Sequence, residues 1–572
     1  MKEYFLPRIR IISAGLLLVV LILLGQLYLL QVVRGEAYRE KGERQYLNPS
    51  KSLYDRGAIY FESKDGNLIS AATLKTGYTI SMNPNLIEDA LEVHDKIEKI
   101  LDIDDESFFF RSGKKDDTYE EIAKKVEEEE ALAILALQIK GVSIEKEKWR
   151  FYPGNSVGAQ LLGFTGFKDN DFGGRYGLER EYENVLEREE RGININFFAE
   201  IFSNLSQGFE KNKLREKGDI ITTIEPVVET FFQNKLNQVQ EERDSLLTAG
   251  VIIDPKTGEI IGLVVSPSFD PNKFGKEEDI SIFRNSLVED VYEFGSIMKP
   301  ITMASALDSG AVKTETTYDD KGFLELDGYK ISNFDGKGRG MVDMQEVLNQ
   351  SLNTGAAFVA NEMGNDVFFD YLKNFGLMEK TGIDLPNEAS PLIKNLSSSR
   401  KIEYATASFG QGVAFSPIMM ARALSALGNG GILPTPHLVK KIDYEIGPGK
   451  TININKNQEK RTIKKETADE ITRMLVRVVD EALLGGTVAL PNHSIAAKTG
   501  TAQIANPNER GYYKDRFLHS FFGYFPAYEP KFLVFLYTVY PKGARYASET
   551  LTKPFMDIAK FLINYYEIPP DR

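Results

Sequence analysis

The longest apolar run in the chain lies close to its N-terminus. Residues 11–33, IISAGLLLVVLILLGQLYLLQVV, contain no charged side chain. At about 1.5 Å per residue, a helix of this length spans roughly 34 Å, which is enough to cross a bilayer. A cleaved signal peptide is the alternative, but its apolar core is shorter, and no small-x-small cleavage site follows this run. The pattern therefore predicts an uncleaved transmembrane helix.

Basic residues flank the run on both sides. Those before it favour a cytoplasmic N-terminus: Lys2, Arg8 and Arg10. Those after it weaken this prediction: Arg34, Arg39 and Arg44. We predict a single-pass protein of the cytoplasmic (inner) membrane, with residues 1–34 as cytoplasmic tail and anchor and the bulk of the chain outside the cytoplasm.

Residues 35–215 mix short strand-like runs with charged helical runs. GYTIS (77–81) predicts a short strand, and the apolar spacing of three and four residues over Glu120–Ile139 predicts a helix. The character changes near residues 214–218 (LREKG), where we place a domain boundary. A mixed α+β domain over 35–215 is expected.

Beyond residue 216 the patterns of helices and strands alternate. DIITTI (219–224) predicts a strand, and a helix is predicted from Glu225 onward. Residues 249–265, AGVIIDPKTGEIIGLVV, predict a β-hairpin because turn residues separate two apolar runs. Residues 216–572 are therefore predicted to form one large α/β domain in a multidomain chain.

Composition removes several classes of function. The net charge is 69 − 83 = −14, so the chain lacks the basic footprint of a nucleic-acid-binding protein. The absence of cysteine excludes thiol nucleophiles, disulfides and thiolate metal sites. The histidines are scattered without metal-ligand spacing, and no metal site is predicted: His94, His437, His493 and His519.

A candidate nucleophile lies at the start of one predicted helix. In EFGSIMKPITMASALDSG (293–310), a helical pattern begins after Gly295 and ends at Ser309-Gly310. Ser296 is then near a helix N-terminus, which favours developing negative charge. Lys299 follows on the same face. A serine hydroxyl needs a base, and a lysine in a dry, cation-rich site can be that base.

The Ser-x-x-Lys spacing alone is weak because the chain contains it four times. The other copies lie in charged or polar segments that predict surface or loop positions: Ser112/Lys115, Ser143/Lys146 and Ser398/Lys401. Only the pair Ser296/Lys299 opens an apolar helix. We predict Ser296 as the nucleophile and Lys299 as its base.

A second element, NQSLNTG (349–355), contains Ser351 and Asn353. A serine can relay a proton, and an asparagine can hydrogen-bond a substrate amide. The alternative is that Ser351 is only a loop or helix-cap residue. The other Ser-x-Asn, at Ser81 and Asn83, precedes every Ser-x-x-Lys.

A third element, SIAAKTGTAQ (494–503), contains one of four Lys-Thr-Gly copies. Two of the others predict turns (75–77 and 256–258), and one predicts a helix end with a C-cap glycine (380–382). At Lys498 an apolar lead-in predicts an edge strand instead. This strand offers a cation, the hydroxyls of Thr499 and Thr501, and a glycine, Gly500, that lets a substrate backbone approach.

The order Ser-x-x-Lys, Ser-x-Asn, Lys-Thr-Gly is the signature of serine β-lactamases and penicillin-binding proteins. The chain resembles a class B penicillin-binding protein nearly from end to end. Further motifs carry the resemblance: Asp55-Arg56-Gly57 with Ile59, and residues 150–166, 177–183, 266–274, 408–417, 427–431 and 519–526. One departure is Phe294, where the family usually has proline.

The resemblance implies a fold. Residues 35–215 are expected to form an elongated mixed α+β pedestal domain. Residues 216–572 are expected to form a serine β-lactamase-like transpeptidase domain, in which helices flank an antiparallel sheet.

The resemblance also implies roles for the site residues. Ser296 attacks the D-Ala-D-Ala carbonyl of a donor stem peptide with Lys299 as base. Ser351 relays a proton and Asn353 orients the donor amide. Lys498 helps to keep Lys299 neutral. The substrate carboxylate and backbone are expected at Thr499, Gly500 and Thr501, and the N–H groups of Ser296 and Thr501 are expected to form an oxyanion hole.

Partners follow from the same resemblance. Peptidoglycan stem peptides on a lipid-linked precursor polymer are the expected substrates, and β-lactams are the expected covalent inhibitors. A membrane-embedded glycan polymerase and division proteins are the expected protein partners, with no metal or organic cofactor. Residues 519–542 favour the septal division branch over the elongation branch, although SPSFDPNKF (266–274) fits both.

Three alternatives stay open: a β-lactamase or β-lactam sensor, a D,D-carboxypeptidase, and a non-catalytic division scaffold. A hydrolase needs a base that activates the deacylating water. No Glu-x-x-Leu-Asn follows Ser351, which favours the transpeptidase.

Overall fold

The computed structural model describes residues 55–168, 171–188, 217–445, 448–451, 460–506, 508–509 and 511–572. The chain forms two compact units. Among the described residues, the smaller unit contains Thr76–Trp149, and the larger contains Arg56–Lys75, Arg150–Arg188 and the residues from 217 onward. The segments Arg56–Lys75 and Arg150–Arg188, which precede residue 216, thus belong to the larger unit. The domain boundaries at residues 34 and 215 stay predictions.

The predicted anchor, residues 11–33, lies outside the described residues. Within the described ranges, no helix has both the length and the apolar character needed to span a bilayer. The helix Pro226–Arg243 reaches 18 residues, but it carries charged side chains such as Glu229 and Lys235.

The strands are numbered in chain order: β1 (Ile59–Glu62), β2 (Leu68–Met82), β3 (Glu120–Val126), β4 (Val142–Phe151), β5 (Thr165–Lys168), β6 (Asp171–Gly174), β7 (Gly218–Thr222), β8 (Leu247–Ile253), β9 (Ile260–Ser266), β10 (Thr317–Asp320), β11 (Phe323–Leu326), β12 (Tyr329–Ser332), β13 (Gly340–Asp343), β14 (Ile432–Leu433), β15 (Val439–Tyr444), β16 (Lys450–Thr451), β17 (Lys460–Arg461), β18 (Ala496–Ala505), β19 (Tyr512–Phe525) and β20 (Phe532–Val539).

The α-helices are numbered in the same way: α1 (Ala90–Glu98), α2 (Asp105–Ser112), α3 (Glu128–Ala136), α4 (Ala159–Leu162), α5 (Gly177–Glu181), α6 (Glu183–Leu186), α7 (Pro226–Arg243), α8 (Ser286–Glu289), α9 (Lys299–Ser309), α10 (Met344–Asn349), α11 (Asn353–Met363), α12 (Asn365–Asn374), α13 (Lys401–Ala407), α14 (Pro417–Gly428), α15 (Lys465–Arg477), α16 (Ala547–Thr550) and α17 (Thr552–Tyr565).

In the smaller unit, helices and strands enclose one apolar core. Aspartates start two of the helices: Asp89 accepts a hydrogen bond from the N–H of Glu92 at the start of α1, and Asp104 caps α2 in the same way. The core includes buried side chains from α1, α2 and α3: Ile97, Phe108 and Ile134.

The predicted helix over 120–139 is wrong in its first part. Glu120–Val126 forms β3, which pairs antiparallel with β2 through Tyr78↔Val126 and Ile80↔Ala123. The helix α3 begins only at Glu128, where three glutamates lie in the first turn and suit the positive end of the helix dipole. A seven-residue segment is too short for periodicity to separate strand from helix, so strand pairing decides.

The predicted strand at 77–81 is confirmed as part of the longer strand β2. The turn predicted at 75–77 is wrong, because these residues lie inside the strand. A Cβ at Gly77 would stand 2.6 Å from the Val126 carbonyl oxygen and 2.6 Å from the ring of Trp149. The glycine therefore permits close packing within a sheet.

A five-stranded antiparallel sheet is the centre of the larger unit. Its order is β18-β19-β20-β8-β9, so β18 is an edge strand as predicted. The predicted hairpin is β8 and β9, and its turn is stabilised by Asp254, whose carboxylate accepts from the N–H groups of Lys256 and Thr257. Every residue of β20 is buried, because both faces of the sheet are covered.

Helices cover the two faces, as the resemblance implied. On one face α7 and α17 contribute Phe232 and Phe555 to an apolar cluster with Leu536 of β20. On the other face α9, α14 and α15 pack in a larger cluster that contains Phe535. Neighbouring residues of β20 thus point to opposite layers, as the pleat of a strand requires. The predicted start of α7 is confirmed, because Glu225 accepts from the N–H of Val228.

A second sheet in the larger unit joins segments that are far apart in sequence. β1 pairs in parallel with β7 through Ile59↔Ile220, and antiparallel with β2 through Phe61↔Ile69. β7 is the strand predicted over 219–224, and its other neighbour is β15.

The helix end predicted at 380–382 is wrong. Helix α12 already ends at Asn374, and Gly376 (φ +73°) follows it in the left-handed region. The Lys-Thr-Gly copy lies in a loop, where Glu388 accepts from the N–H groups of Thr381 and Gly382 at 2.6 and 3.0 Å.

A buried ionic cluster links three of the motifs that carried the family resemblance. Glu179 is fully buried and lies between two buried guanidinium groups, 2.6 Å from Arg56 Nε and 2.5 Å from Arg150 Nε. Arg56 also contacts Glu183 at 2.6 Å, and Arg150 donates to the carbonyl of Gly57. Chain segments near residues 56, 150 and 179 are thereby held together.

Removing one carboxylate from this cluster should be costly. In Glu179→Gln, two buried guanidiniums lose their shared counter-charge, which should lower the free energy of unfolding by about 3–5 kcal/mol. Thermal denaturation of the variant would show a lowered midpoint. The matched control is Glu481→Gln, which breaks an exposed pair with Arg477 and should cost less than about 1 kcal/mol. Equal midpoints for the two variants would contradict the prediction.

Candidate active site

The segment that carries Ser296 is a 3₁₀ turn followed directly by a helix. The turn spans Gly295–Met298, and α9 begins at Lys299. Pro300 fits the first turn of α9 because an N–H would lack a helical partner there. Helix α9 ends where Gly310 adopts a left-handed conformation (φ +76°). The predicted start and end of this helical segment are confirmed.

The Lys299 side chain is the hub of the site. It is 1% exposed, and its Nζ lies 3.0 Å from Ser296 Oγ. Nζ also lies 2.5 Å from the Ser351 carbonyl oxygen, 3.2 Å from Ser351 Oγ and 2.8 Å from Asn353 Oδ1. The structure thus brings the first two sequence elements together around one amine.

Ser351 lies in the short connection between α10 and α11, and Asn353 stands at the start of α11. Ser351 has φ +53°, a conformation that is uncommon for residues other than glycine. Asn353 is the first residue of α11, and its Nδ2 donates to the carbonyl of Ser332 at 3.0 Å. Its Oδ1 faces Lys299, so the side chain amide is held at both ends.

The third element lies on the edge strand β18. Lys498 is 3% exposed, and Thr499, Gly500 and Thr501 follow it along the strand. Thr501 Oγ1 accepts from the N–H of Ala547 at 3.0 Å. An edge strand has free backbone groups on its outer side, which an extended peptide can pair with.

Burial and like charge control the protonation of the two lysines. Burial lowers the pKa of Lys299 well below its ordinary value, and the nearby Lys498 cation lowers it further. Burial alone lowers the pKa of Lys498 to about 8. Near neutral pH, Lys498 therefore still holds a positive charge that favours a neutral Lys299. This is the dry, cation-rich environment that the sequence analysis requires for a lysine base.

A close backbone approach sets the distance between the turn that carries Ser296 and β18. Ser520 Oγ donates to the Phe294 carbonyl at 2.9 Å and lies 3.4 Å from the Gly500 carbonyl. A Cβ at Gly500 would stand 2.5 Å from the Phe294 oxygen, so only glycine permits this contact. Phe294 itself is buried, with its ring edge-on to Phe535 at 5.3 Å.

A buried carboxylate behind Asn353 was missed by the sequence analysis. Asp320 is 1% exposed and accepts from Asn333 Nδ2 with both oxygens at 3.0 Å. It also accepts from Thr354 Oγ1 at 2.8 Å. Asn333 and Thr354 are the chain neighbours of Ser332 and Asn353. The Asp320 network therefore holds both partners of the Asn353 hydrogen bond.

Glu293 is a second residue that sequence reasoning missed. It lies three positions before Ser296, and Tyr512 Oη donates to its two carboxylate oxygens at 3.1 and 2.9 Å. Burial raises the pKa of Glu293. The contact links the start of β19 to the segment that carries Ser296. No pattern in one sequence marks such a pair, because its members are more than 200 residues apart.

These groups open onto a cleft of about 740 Å³. Its lining includes Ser296, Ser351, Asn353 and Lys498. None of the other Ser-x-x-Lys pairs lines it. Among the described residues that do, there is no aspartate and no glutamate.

Two family models match the chain. The model for the penicillin-binding protein transpeptidase domain matches residues 248–560. The model for the penicillin-binding protein dimerisation domain matches residues 53–197. Together they cover most of the chain beyond the predicted anchor.

Curated relatives match over nearly the full length. Stage V sporulation protein D of Bacillus subtilis (strain 168) is 30% identical, over 94% of this chain and 82% of that protein. Peptidoglycan D,D-transpeptidase FtsI of Escherichia coli (strain K12) is 25% identical, over 99% of this chain and 92% of that protein.

A solved structure supports the fold. Penicillin-binding protein 3 of Mycobacterium tuberculosis, complexed with aztreonam, superposes with a TM-score of 0.69 at 19% identity, over 91% of this chain and 98% of that chain.

The Lys498 charge should set the pH dependence of Ser296 reactivity. In Lys498→Met the pKa of Lys299 should rise, because a repelling cation is gone. A base acts only when neutral, so reactivity is lost as pH falls through its pKa. The acidic limb of labelling by a fluorescent penicillin should therefore move to higher pH. Lys498→Arg keeps the charge and should retain the wild-type limb. If the acidic limb of the pH profile stays in place in Lys498→Met, the Lys498 charge does not control the pKa of Lys299.

Loss of the Asp320 network should slow acylation. In Asp320→Ala, Asn333 and Thr354 lose a shared acceptor, and Asn353 is no longer held, so we expect a roughly 10- to 100-fold slower reaction with penicillin. Asp320→Asn keeps part of the acceptor capacity and should recover part of the rate. Asp319→Ala removes an exposed neighbour on the same strand and should leave the rate unchanged. Equal rates in Asp320→Ala and Asp319→Ala would contradict this role.

Proposed function

The chain belongs to the class B penicillin-binding proteins, and we propose that its peptidoglycan D,D-transpeptidase activity runs through an acyl-enzyme at Ser296. One observation carries the proposal: Lys299 Nζ lies 3.0 Å from Ser296 Oγ in a buried site. A lysine of lowered pKa at this distance is a general base for the hydroxyl. The protein acts in cell-wall synthesis on peptidoglycan peptides and binds β-lactams.

In the acylation step, Ser296 Oγ forms a bond to the penultimate D-alanine carbonyl carbon of a donor stem peptide. Lys299 Nζ takes the hydroxyl proton. The proton then passes through Ser351 Oγ, 3.2 Å from Nζ, to the nitrogen of the terminal D-alanine, and the C–N bond breaks. Free D-alanine leaves and an ester at Ser296 remains.

In the transfer step, the amine of a second stem peptide attacks the ester carbonyl. The amine loses a proton to Lys299, directly or through Ser351, and Ser296 Oγ regains one as the ester bond breaks. The product is a new amide, which is the crosslink. No electrons are gained or lost, and no cofactor is required by this balance.

The remaining residues hold and polarise the donor. Asn353, fixed between Lys299 and the Ser332 carbonyl, is suited to orient a donor amide. Lys498, Thr499 and Thr501 are suited to the terminal carboxylate, with Gly500 leaving room for the peptide backbone. The N–H groups of Ser296 and Thr501 are proposed as the oxyanion hole, since a helix start and an edge strand both leave N–H groups free.

A hydrolytic function is less well supported. A β-lactamase needs a base that activates water against the acyl-enzyme, and the described cleft lining contains no carboxylate. The same reasoning disfavours a D,D-carboxypeptidase. A purely structural scaffold is disfavoured because the first two sequence elements meet at Lys299 and Lys498 of the third element lines the same cleft.

The cellular role is proposed from the relatives. FtsI of Escherichia coli is named a peptidoglycan D,D-transpeptidase, and septal synthesis with a membrane-embedded glycan polymerase and division proteins is the role we propose for this chain. Stage V sporulation protein D favours wall synthesis during sporulation as the second candidate. Residues 11–33 are proposed to anchor the chain in the cytoplasmic membrane, with its N-terminus inside.

Labelling with a fluorescent penicillin tests the nucleophile, using the full chain in washed membranes. The wild type should acquire a stable covalent label in the membrane fraction, and Ser296→Ala should acquire none. Ser398→Ala, in an unrelated Ser-x-x-Lys pair, should label like the wild type. A label that survives Ser296→Ala would refute the assignment. A label that forms and quickly vanishes would favour a hydrolase.

The position of the label in cells tests the cellular role. Label at the septum supports division, and label at the forespore supports sporulation.

A further inference from the structure

The cleft that contains the candidate nucleophile is positively charged in an acidic protein. The chain has a net charge of −14, yet four cationic side chains and no carboxylate line the described part of the cleft: Lys330, Lys498, Lys514 and Arg545. Such a distribution departs from the average surface of the chain. It marks the cleft as a site for anions.

These cations have no close carboxylate partner among the described residues. None of the four forms an ion pair there with an aspartate or glutamate within 4.0 Å. Lys330 Nζ lies over the Phe323 ring at 4.2 Å, and Arg545 lies over the Tyr546 ring at 5.5 Å. Aromatic rings leave the net charge unchanged. Like charges on the walls of a concave site concentrate positive potential inside it.

The cations come from separate elements around the nucleophile. Lys498 lies on β18, and Lys514 lies on the neighbouring strand β19. Arg545 precedes α16, whose first N–H bonds to Thr501. Lys330 lies on β12, which also provides the Ser332 carbonyl for Asn353. A peptide bound in the cleft would therefore meet positive charge from several elements of its wall.

One terminal carboxylate does not account for four cations. Lys498, next to the two threonines, is sufficient for that group in the proposed mechanism. Lys330, Lys514 and Arg545 remain, and all three are exposed at the cleft wall. Exposed cations of this kind match carboxylates on the body of the substrate, where charge complementarity gives specificity and faster association.

We propose that the cleft selects acidic stem peptides, in which side-chain carboxylates that precede D-Ala-D-Ala are free and not amidated. This inference rests on the proposed transpeptidase function and names the substrate class of the same site. The free acid and the amide have nearly the same shape, so the discrimination is electrostatic. It is carried by Lys330, Lys514 and Arg545.

A matched peptide pair tests the inference. Two peptides that end in D-Ala-D-Ala and differ only in a free or amidated internal carboxylate are offered to the full-length protein in detergent. D-Alanine release should have a kcat/KM roughly two- to fivefold higher for the free acid. The ratio should fall toward one as salt rises, since the Debye length shrinks from about 10 Å at 0.1 M to about 3 Å at 1 M.

Charge variants locate the effect. Lys514→Gln should reduce the free-acid preference, and Lys514→Glu should abolish or invert it. Lys330→Glu should act in the same direction. Lys553→Glu, an exposed lysine on α17 that does not line the cleft, should leave the ratio unchanged. Because the ratio is measured within one variant, partial unfolding cannot produce the result.

The outcomes separate the two proposals. If both peptides release D-alanine equally in the wild type, selection of acidic peptides is refuted while the transpeptidase function stands. If the preference persists unchanged in Lys514→Glu and Lys330→Glu, the assignment to these side chains is refuted. If neither peptide reacts and penicillin leaves no label, the proposed function itself fails.

Discussion

The site depends on one lysine amine kept out of water without a counter-charge. Lys299 is 1% exposed, and the hydrogen bonds that its Nζ makes within the described residues go to neutral oxygens of Ser296, Ser351 and Asn353. A buried ammonium without an anion is costly, so its neutral form is favoured. A carboxylate in the same position would stabilise the cation and disfavour the neutral amine that the proposed base role requires. The described cleft lining contains no acidic side chain and so supplies no such counter-charge.

Two segments of the larger unit hold oxygens around that amine. The oxygens come from the turn at Gly295–Met298 and from the connection before α11, which are more than 50 residues apart. Ser520 fixes the first against β18 through the Phe294 carbonyl. Asp320 fixes the second through Asn333 and Thr354. Reaction rates fall steeply when such groups move by an ångström, which explains why buried hydrogen bonds lie behind both segments.

Local patterns predicted elements well where a segment's own residues decide its structure. The helix after Ser296 has a proline in its first turn and a glycine at its end, and the hairpin of β8 and β9 has its turn residues between two apolar runs. Prediction failed where a distant partner decides. Glu120–Val126 became a strand because β2 pairs with it, and Lys75–Gly77 lies in a strand because Gly77 admits the Trp149 ring. The loop at 380–382 is held by the carboxylate of Glu388, which accepts from the Thr381 N–H. The residue pattern of the segment does not indicate this contact.

The sequence by itself predicted which groups carry the proposed chemistry. Ser296, Lys299, Ser351, Asn353 and Lys498 are recognisable because each residue type has a defined reactivity and the three short spacings occur in a set order. Only the tertiary structure decided that Ser296, Ser351 and Asn353 lie at hydrogen-bonding distance from Lys299. It also decided that burial, together with the Lys498 cation, lowers the pKa of Lys299. It also decided that Asp320 and Glu293 support the site and that the cleft is cationic. The physical reason is that reactivity belongs to a side chain, whereas distance, desolvation and electrostatic potential arise from residues that are close only after folding.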